Sequence, residues 1–326
     1  MIYDSFTFFN ELDLLELRLE TLAHVVDYFV IVEADKTHAG NSKPFIFEEN
    51  KSRFDKFLPK IIYAKAHLPE IVGNSWALEN LQRNYISKVI KQHAKPGDTI
   101  LISDLDEIPR PELVQRYAAT NEVISFNVDY YCYYINSQNL YQKNWLGSTM
   151  LSYENFFSVA DNLKVAYNDY VLEEYNQGTT PTKLRCASEI KRRIIKNGGW
   201  HFTSLGGAEA VLQKLKAFAH QEFNLADITS EQIGALISSG KGPFIKQIHF
   251  AKQIDSSFPQ PIIDSPQKYA HLIFQVTPEY LKKTRMKRIF YIVWCNFYCF
   301  CERLIPENAK RQISKLLNKL RGLDKK

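Results

Sequence analysis

No stretch of this 326-residue chain approaches the roughly 20 consecutive apolar residues needed to cross a bilayer. The opening, MIYDSFTFFNELD, has no basic segment followed by an apolar one, so no secretory signal is expected. Cysteine is scarce: Cys132, Cys186, Cys295, Cys299 and Cys301 make an odd count with no CxxC pair. That spacing argues against a zinc ribbon and against a disulfide framework. Unpaired thiols fit a reducing compartment, so a cytoplasmic location is expected. There is no fixed-period repeat and no Gly-, Pro- or Ser-rich linker, which excludes a solenoid and two loosely tethered halves. What is present is ordinary globular composition. With 45% hydrophobic residues the chain can bury a sizeable core, and disorder of its bulk is excluded.

Charge is unevenly placed. From Leu281 onward there are 13 Lys and Arg against 3 acids, while the chain as a whole carries 41 against 36. The body is therefore mildly acidic and the tail strongly basic, which points the tail at an anionic surface. An aromatic run, Ile289–Cys301, lies inside this tail, followed by an amphipathic segment around Ile313, Leu316, Leu317 and Leu320. Thirteen mostly apolar residues are too few to span, but a basic aromatic segment can lie among lipid headgroups at the inner face of a membrane. The bland alternative is a helix docked on the body. Nucleic acid is not expected as a partner, because the body is acidic and no recognition motif is present.

The first 130 residues alternate strand and helix patterns. Ile2–Phe8 reads as a strand, and Asn10 is placed to cap a helix with an apolar stripe at Leu12, Leu15, Leu19 and Leu22. Tyr28–Val32, Lys60–Ala64 and Thr99–Ser103 are short, continuous apolar runs, as expected of strands buried on both faces. Ser75–Ala94 reads as a long helix ending before Pro96-Gly97. This rhythm implies a mostly parallel central sheet, an α/β fold, with ligands bound at the carboxyl ends of the strands. Further on, Val123–Val128 and Tyr130–Ile135 read as two strands and Ala208–His220 as a helix. We expect one catalytic domain over residues 1–275 and a helical tail over 276–326.

The sharpest chemical signal is Asp104-Leu105-Asp106-Glu107-Ile108-Pro109, at the end of a buried strand. The period of two turns Asp104 and Asp106 to one side, and no Lys or Arg precedes Arg110 nearby in sequence. Converging carboxylates repel unless a cation neutralises them, and a hard ion such as Mg²⁺ or Mn²⁺ takes such oxygens while leaving positions for phosphate. The plain alternative is a solvated acidic turn.

Five blocks fall in order within about residues 1–255: Tyr3-Asp4-Ser5-Phe6 continuing through Phe8 to Arg18, Val30–Thr37, Asp104–Pro109, Gly199-Trp200-His201-Phe202, and Phe218-Ala219-His220-Gln221-Glu222. Together they resemble glycosyltransferase family 17. The resemblance implies a GT-A type fold, a UDP-sugar donor (UDP-GlcNAc foremost), a divalent metal at Asp-x-Asp and inverting transfer to a glycan or glycolipid acceptor. Without an N-terminal anchor, the chain is expected to be a bacterial or viral relative.

On that footing Asp104 and Asp106 would hold the metal, with His201 as a nitrogen ligand that would favour Mn²⁺. Glu33, Asp35 and Lys36, at the end of a strand, would meet the base, ribose and phosphate. Each also fits a polar surface turn. Arg83 would reach the diphosphate, although Glu79, one turn earlier, offers it a surface pair. Glu222 and Glu209 are the candidates for the general base that inversion requires. His220 suits the end of a helix, and Trp145, Trp200 and Tyr130–Tyr134 suit either sugar stacking or the core. Two other readings use the same residues: a nucleotidyltransferase or sugar-nucleotide pyrophosphatase, and a membrane-tethered glycan-binding protein without turnover.

Overall fold

The computed structural model describes residues 1–71, 75–141, 145–159, 181–182, 184, 190–218, 228–242 and 248–304, the last seven as backbone only. Its strands are β1 (Ile2–Phe8), β2 (Tyr28–Ala34), β3 (Ile61–Ala66), β4 (Thr99–Asp104), β5 (Glu107–Pro109), β6 (Ile124–Cys132), β7 (Ser137–Asn139), β8 (Trp145–Ser152), β9 (Arg193–Ile195), β10 (Gly199–Thr203) and β11 (His249–Ala251). Its helices are α1 (Leu12–Leu22), α2 (Ile46–Glu49), α3 (Ser75–His93), α4 (Pro111–Tyr117), α5 (Tyr153–Ser158), α6 (Gly207–Ala217), α7 (Ser230–Ser238), α8 (Gln260–Asp264) and α9 (Pro278–Leu304).

Strands β3, β2, β1 and β4 lie side by side and parallel, in that order. This is the α/β core the sequence rhythm predicts. The buried strands carry apolar residues on both faces, and each face has its helix. Phe29 and Ile31 meet Leu15, Leu17, Leu19 and Leu22 of α1, whereas Val30 and Val32 meet Leu78, Ile86, Val89 and Ile90 of α3. Beyond β4 the sheet continues through antiparallel β8, then β6 and β7.

Three local expectations are corrected. Glu11, not Asn10, stands at the N-cap of α1, and no side chain caps that helix. Its first-turn Asp13 is drawn instead to Arg53, at 2.5 Å, and to His271, at 2.8 Å. The two strands expected on either side of Asp129 are one strand, β6, because β10 pairs alongside it in parallel and carries the ladder through Trp200–Asp129. Finally, β4 ends at Asp104, so the period of two does not extend to Asp106, which sits in the turn before β5. Pro109 ends β5, opposite Gly199.

Strand β10 is wedged between β5 and β6, and its entry depends on two glycines. A Cβ on Gly199, at φ +156°, would fall on the Ile108 carbonyl oxygen and 2.7 Å from the Pro109 Cα. A Cβ on Gly198 would lie 2.6 Å from that of Phe126. Backbone cannot step aside as a flexible side chain can. Gly199→Ala is therefore expected to cost about 2–3 kcal/mol, the upper part of the range for overpacking. Urea denaturation checks this; a midpoint equal to that of the unsubstituted chain would refute the wedge.

Candidate active site

The carboxyl ends of β1, β2 and β4 converge on one cluster. Gln82 of α3, buried, donates through Nε2 to the carbonyls of Phe8 (3.2 Å) and Val32 (3.0 Å), tying the ends of β1 and β2 together. Its Oε1 meets His38 Nε2 at 2.8 Å. One residue on, Arg83 forms the expected pair with Glu79 at 2.7 Å and reaches Asp104 at 3.0 Å. Burial works against the charged guanidinium, but Asp104 and Glu79 together raise its pKa well above the ordinary arginine value.

Asp106 faces a second cation and an imidazole. Lys214 Nζ lies 3.4 Å and His201 Nε2 3.3 Å from Asp106 Oδ2. Burial opposes the Lys214 charge, yet Asp106, Glu11 and Asp104 hold its pKa above the usual lysine value. The carboxylates that lack a cation in the sequence neighbourhood thus have one each in space. Asp106, in the turn, and Asp104, on the strand, both lie near enough to Lys214 for their charges to raise its pKa.

The turn that carries the aspartates is held from beneath. Arg18 of α1 is fully buried and pairs in two-pronged fashion with Asp4 of β1, at 2.6 and 2.8 Å. Its remaining donors go to the carbonyls of Asp104 (3.2 Å), Leu105 (3.1 Å) and Glu107 (2.9 Å), and to Ser103 Oγ (2.5 Å). The guanidinium also lies 4.6 Å over the Phe6 ring. One side chain therefore fixes the path of the whole Asp104–Glu107 turn.

Glu107, fully buried, sets the other wall: its Oε1 accepts from Trp145 Nε1 at 2.6 Å. Trp145 and Tyr130 then flank the His201 ring at 4.9 and 4.7 Å between centroids. His201 is 5% exposed, and its Nδ1 has no hydrogen-bond partner among the described residues. Beside Asp104 a narrow cleft of about 20 Å³ is lined by Arg83, Glu107, Gly147 and Arg192. Burial lowers the pKa of Arg192, whose guanidinium donates to the Leu184 carbonyl and to Ser125 Oγ.

Other expected site residues lie elsewhere. Glu33 is fully buried, and its carboxylate accepts from Lys43 (2.6 Å), Tyr63 Oη (2.8 Å) and the first N–H groups of α2 at Ile46 (2.6 Å) and Phe47 (3.1 Å). Those four donors give it a structural role, anchoring α2 to β2. Asp35 accepts from the Leu68 N–H (3.0 Å) and lies 2.9 Å from His67; burial raises its pKa, but those two bonds bring it below the usual carboxylate value. Lys36 donates to the Leu68 carbonyl (2.8 Å) and Glu70 (2.5 Å). Both are thus engaged with residues 67–70 and neither lines the cleft beside Asp104. Glu209 is exposed on the first turn of α6, the helix that carries Lys214. Glu222 and His220 lie outside the described residues. His249 is buried against Ser137 Oγ (2.6 Å), its pKa pushed down to about 4 by burial, and takes no part here. Trp200 is 2% exposed, a core residue rather than a stacking surface.

Carboxylate oxygens and an imidazole nitrogen are donors that a divalent cation accepts. Among the described residues, however, no group of three or more His, Cys, Asp or Glu side chains is placed to hold a metal ion. An ion held by Asp104 and Asp106 would have to take most of its ligands from substrate and solvent oxygens, as Mg²⁺ commonly does.

Comparison with known sequences bears on the first half of the chain. The family described as glycosyltransferase family 17 matches residues 1–158. That stretch is a glycosyltransferase family 17 sequence. The match to family 17 covers Arg18, Arg83, Asp104, Asp106 and Glu107, and it stops before His201 and Lys214. The β-1,4-mannosyl-glycoprotein 4-β-N-acetylglucosaminyltransferases of Homo sapiens and Rattus norvegicus are each 31% identical to the chain over 107 residues. Those 107 residues are 31% of this chain and only 20% of each relative, so the chain spans about a fifth of the curated relatives it matches. Among solved structures, S. aureus TarS residues 1–349 aligns with TM-score 0.33 and 14% identity, over 71% of this chain and 67% of that one. Glucosyl-3-phosphoglycerate synthase from Mycobacterium tuberculosis, solved with Mn²⁺, UDP and phosphoglyceric acid, aligns with TM-score 0.23 and 15% identity, over 40% and 43%. The parallel β3-β2-β1-β4 core, with Asp104 at the end of β4 and Asp106 in the turn after it, is the mostly parallel α/β arrangement expected from the sequence.

Proposed function

We propose that this chain is a metal-dependent, inverting glycosyltransferase that moves a sugar, GlcNAc foremost, from a UDP-sugar donor to a hydroxyl of a glycan or glycolipid acceptor. The observation that carries the reading is the convergence of Asp104 and Asp106 with Arg83, Lys214 and His201 at the carboxyl ends of a parallel sheet, on a stretch that matches family 17. Glycosyl transfer expels a nucleoside diphosphate, and the departing charge must be neutralised.

A Mn²⁺ or Mg²⁺ ion held by Asp104 and Asp106, with His201 beside them, would supply part of that positive charge. The chain's own cations supply the rest. Arg83 and Arg192 line the cleft next to Asp104, where a guanidinium can engage two phosphate oxygens at once. Lys214 stands on the Asp106 side and can follow the phosphate as its carboxylate partner is engaged elsewhere. Asp35 and Lys36, just beyond the end of β2, would meet base and ribose. Glu209 or Glu222 would accept the proton of the attacking hydroxyl. The basic tail is proposed to hold the protein at an anionic membrane surface.

The test is a panel of nucleotide sugars incubated with Mn²⁺, with Mg²⁺ and with EDTA. Consumption of one UDP-sugar with release of UDP, abolished by EDTA, is the expected result. Release of pyrophosphate or a sugar phosphate would replace the reading with nucleotidyl or pyrophosphatase chemistry. Absence of any nucleotide-sugar binding would leave glycan binding without turnover.

A further inference from the structure

Helix α9 presents two unlike faces. On one, Tyr280, Lys287, Tyr291 and Cys295 recur at helical spacing and hold the helix to the body. Tyr280 Oη accepts from the Ala251 N–H (3.0 Å), Lys287 Nζ donates to the Ser239 carbonyl (2.7 Å), the Tyr291 ring lies 6.2 Å from that of Phe250, and Cys295 is buried with Leu140. Rotated away from these, Met286, Ile289, Phe290, Val293 and Phe297 are 48–75% exposed. Met286, Ile289, Val293 and Phe297 follow one another every three or four residues, with Phe290 beside Ile289, and form an apolar stripe about 17 Å long at the helical rise. A contiguous apolar surface of this kind marks a contact site, since globular proteins seldom leave one to water.

The chemistry beside the stripe identifies what covers it. Lys282, Lys283 and Arg285 precede it by about one turn and Arg288 flanks it, while Glu279 and Glu302 are the acids of the helix. A second copy of the chain would bring the same cations to the seam, whereas lipid phosphates would neutralise them. Among the described residues no helix is long and apolar enough to cross a membrane. The remaining arrangement is a helix lying in the plane of the interface.

We infer that α9 lies flat in the headgroup layer of an anionic membrane, with the Met286–Phe297 stripe toward the acyl chains and Lys282, Lys283 and Arg285 at the lipid phosphates. This rests on the reading of the tail as membrane-facing and goes beyond it by assigning the face that enters the lipid. The catalytic body would then hang from the membrane by the far side of α9, through Phe250 and Leu140.

Vesicle sedimentation of the full chain tests it, with phosphatidylcholine alone and with phosphatidylcholine mixed with phosphatidylserine. The unsubstituted chain is expected to bind the mixed vesicles and to release as salt is raised. The Phe290→Glu/Val293→Glu double substitution should weaken binding at least about tenfold, because two apolar anchors become charged. Its melting temperature should stay unchanged, since both side chains are exposed. A second variant carries Glu at Lys310, Arg311, Lys315 and Lys319. Binding lost in that variant but intact in the α9 variant would overturn the assignment of the face and leave the tail reading standing. No binding by the unsubstituted chain would defeat the tail reading itself. If in addition the α9 substitutions halve the mass in light scattering, the stripe is a seam between two copies.

Discussion

Arg18→Met is expected to lower stability by about 3–5 kcal/mol, the cost of leaving a buried carboxylate without its partner. Asp4, fully buried, would lose both of its guanidinium bonds, and the carbonyls of Asp104, Leu105 and Glu107 would lose their shared donor. Thermal unfolding should show the loss directly, as a drop of roughly 10 °C. The informative construction is the double substitution Arg18→Met/Asp4→Leu. Replacing a buried ion pair by apolar residues of similar size is often nearly neutral, so much of the melting temperature should return. The turn would still lack its donor, and nucleotide-sugar turnover should stay low. A double variant that recovers stability and activity together would show that Arg18 supports the core but does not position the aspartates.

The second large effect concerns chemistry rather than folding. Asp106→Ala should reduce metal-dependent turnover by at least about a thousandfold, the scale on which removal of a charge-organising group from an active site acts. Stability should hardly change. The carboxylate sits at the site surface, its partner Lys214 is 27% exposed and keeps Thr203 Oγ1 at 3.1 Å, and partly exposed ion pairs are worth little. Asp106→Asn preserves the shape of the side chain and removes only its charge, so it should be nearly as inactive. Steady-state rates at saturating donor, compared with melting curves, check both variants. An Asp106→Asn variant with full activity would remove the proposed metal role.

The sequence made much of the frame legible, for physical reasons that can be named. Runs such as Tyr28–Val32 and Thr99–Ser103 must be buried on both faces to be stable, and so they announced a parallel sheet and the end at which its ligands bind. The Glu79–Arg83 pair is a neighbour contact on one helix, visible at a spacing of four. Lys214 was not legible. It meets an aspartate 108 residues away, through a helix whose sequence gives no sign of which sheet edge it follows. Glu33 misled for a related reason. A glutamate at the end of a strand looks exposed until the fold brings Lys43, Tyr63 and the start of α2 around it. Arg18 and Asp4 stood inside one of the blocks that carry the family resemblance, but a charged residue on an apolar stripe shows its role only when the turn it holds is in view.

The insertion of β10 between β5 and β6 also governs how the chain can come into being. During synthesis both β5 and β6 are complete about 70 residues before Thr203, and at roughly 5–20 residues per second that leaves the edges that β10 will pair bare for about 4–14 seconds. Unpaired edges of this kind are open to other strands. For those seconds the nascent half that already contains Asp104 and Asp106 is an incomplete sheet waiting for a strand still to be made, and its yield in a cell depends on what shields that gap in the interval.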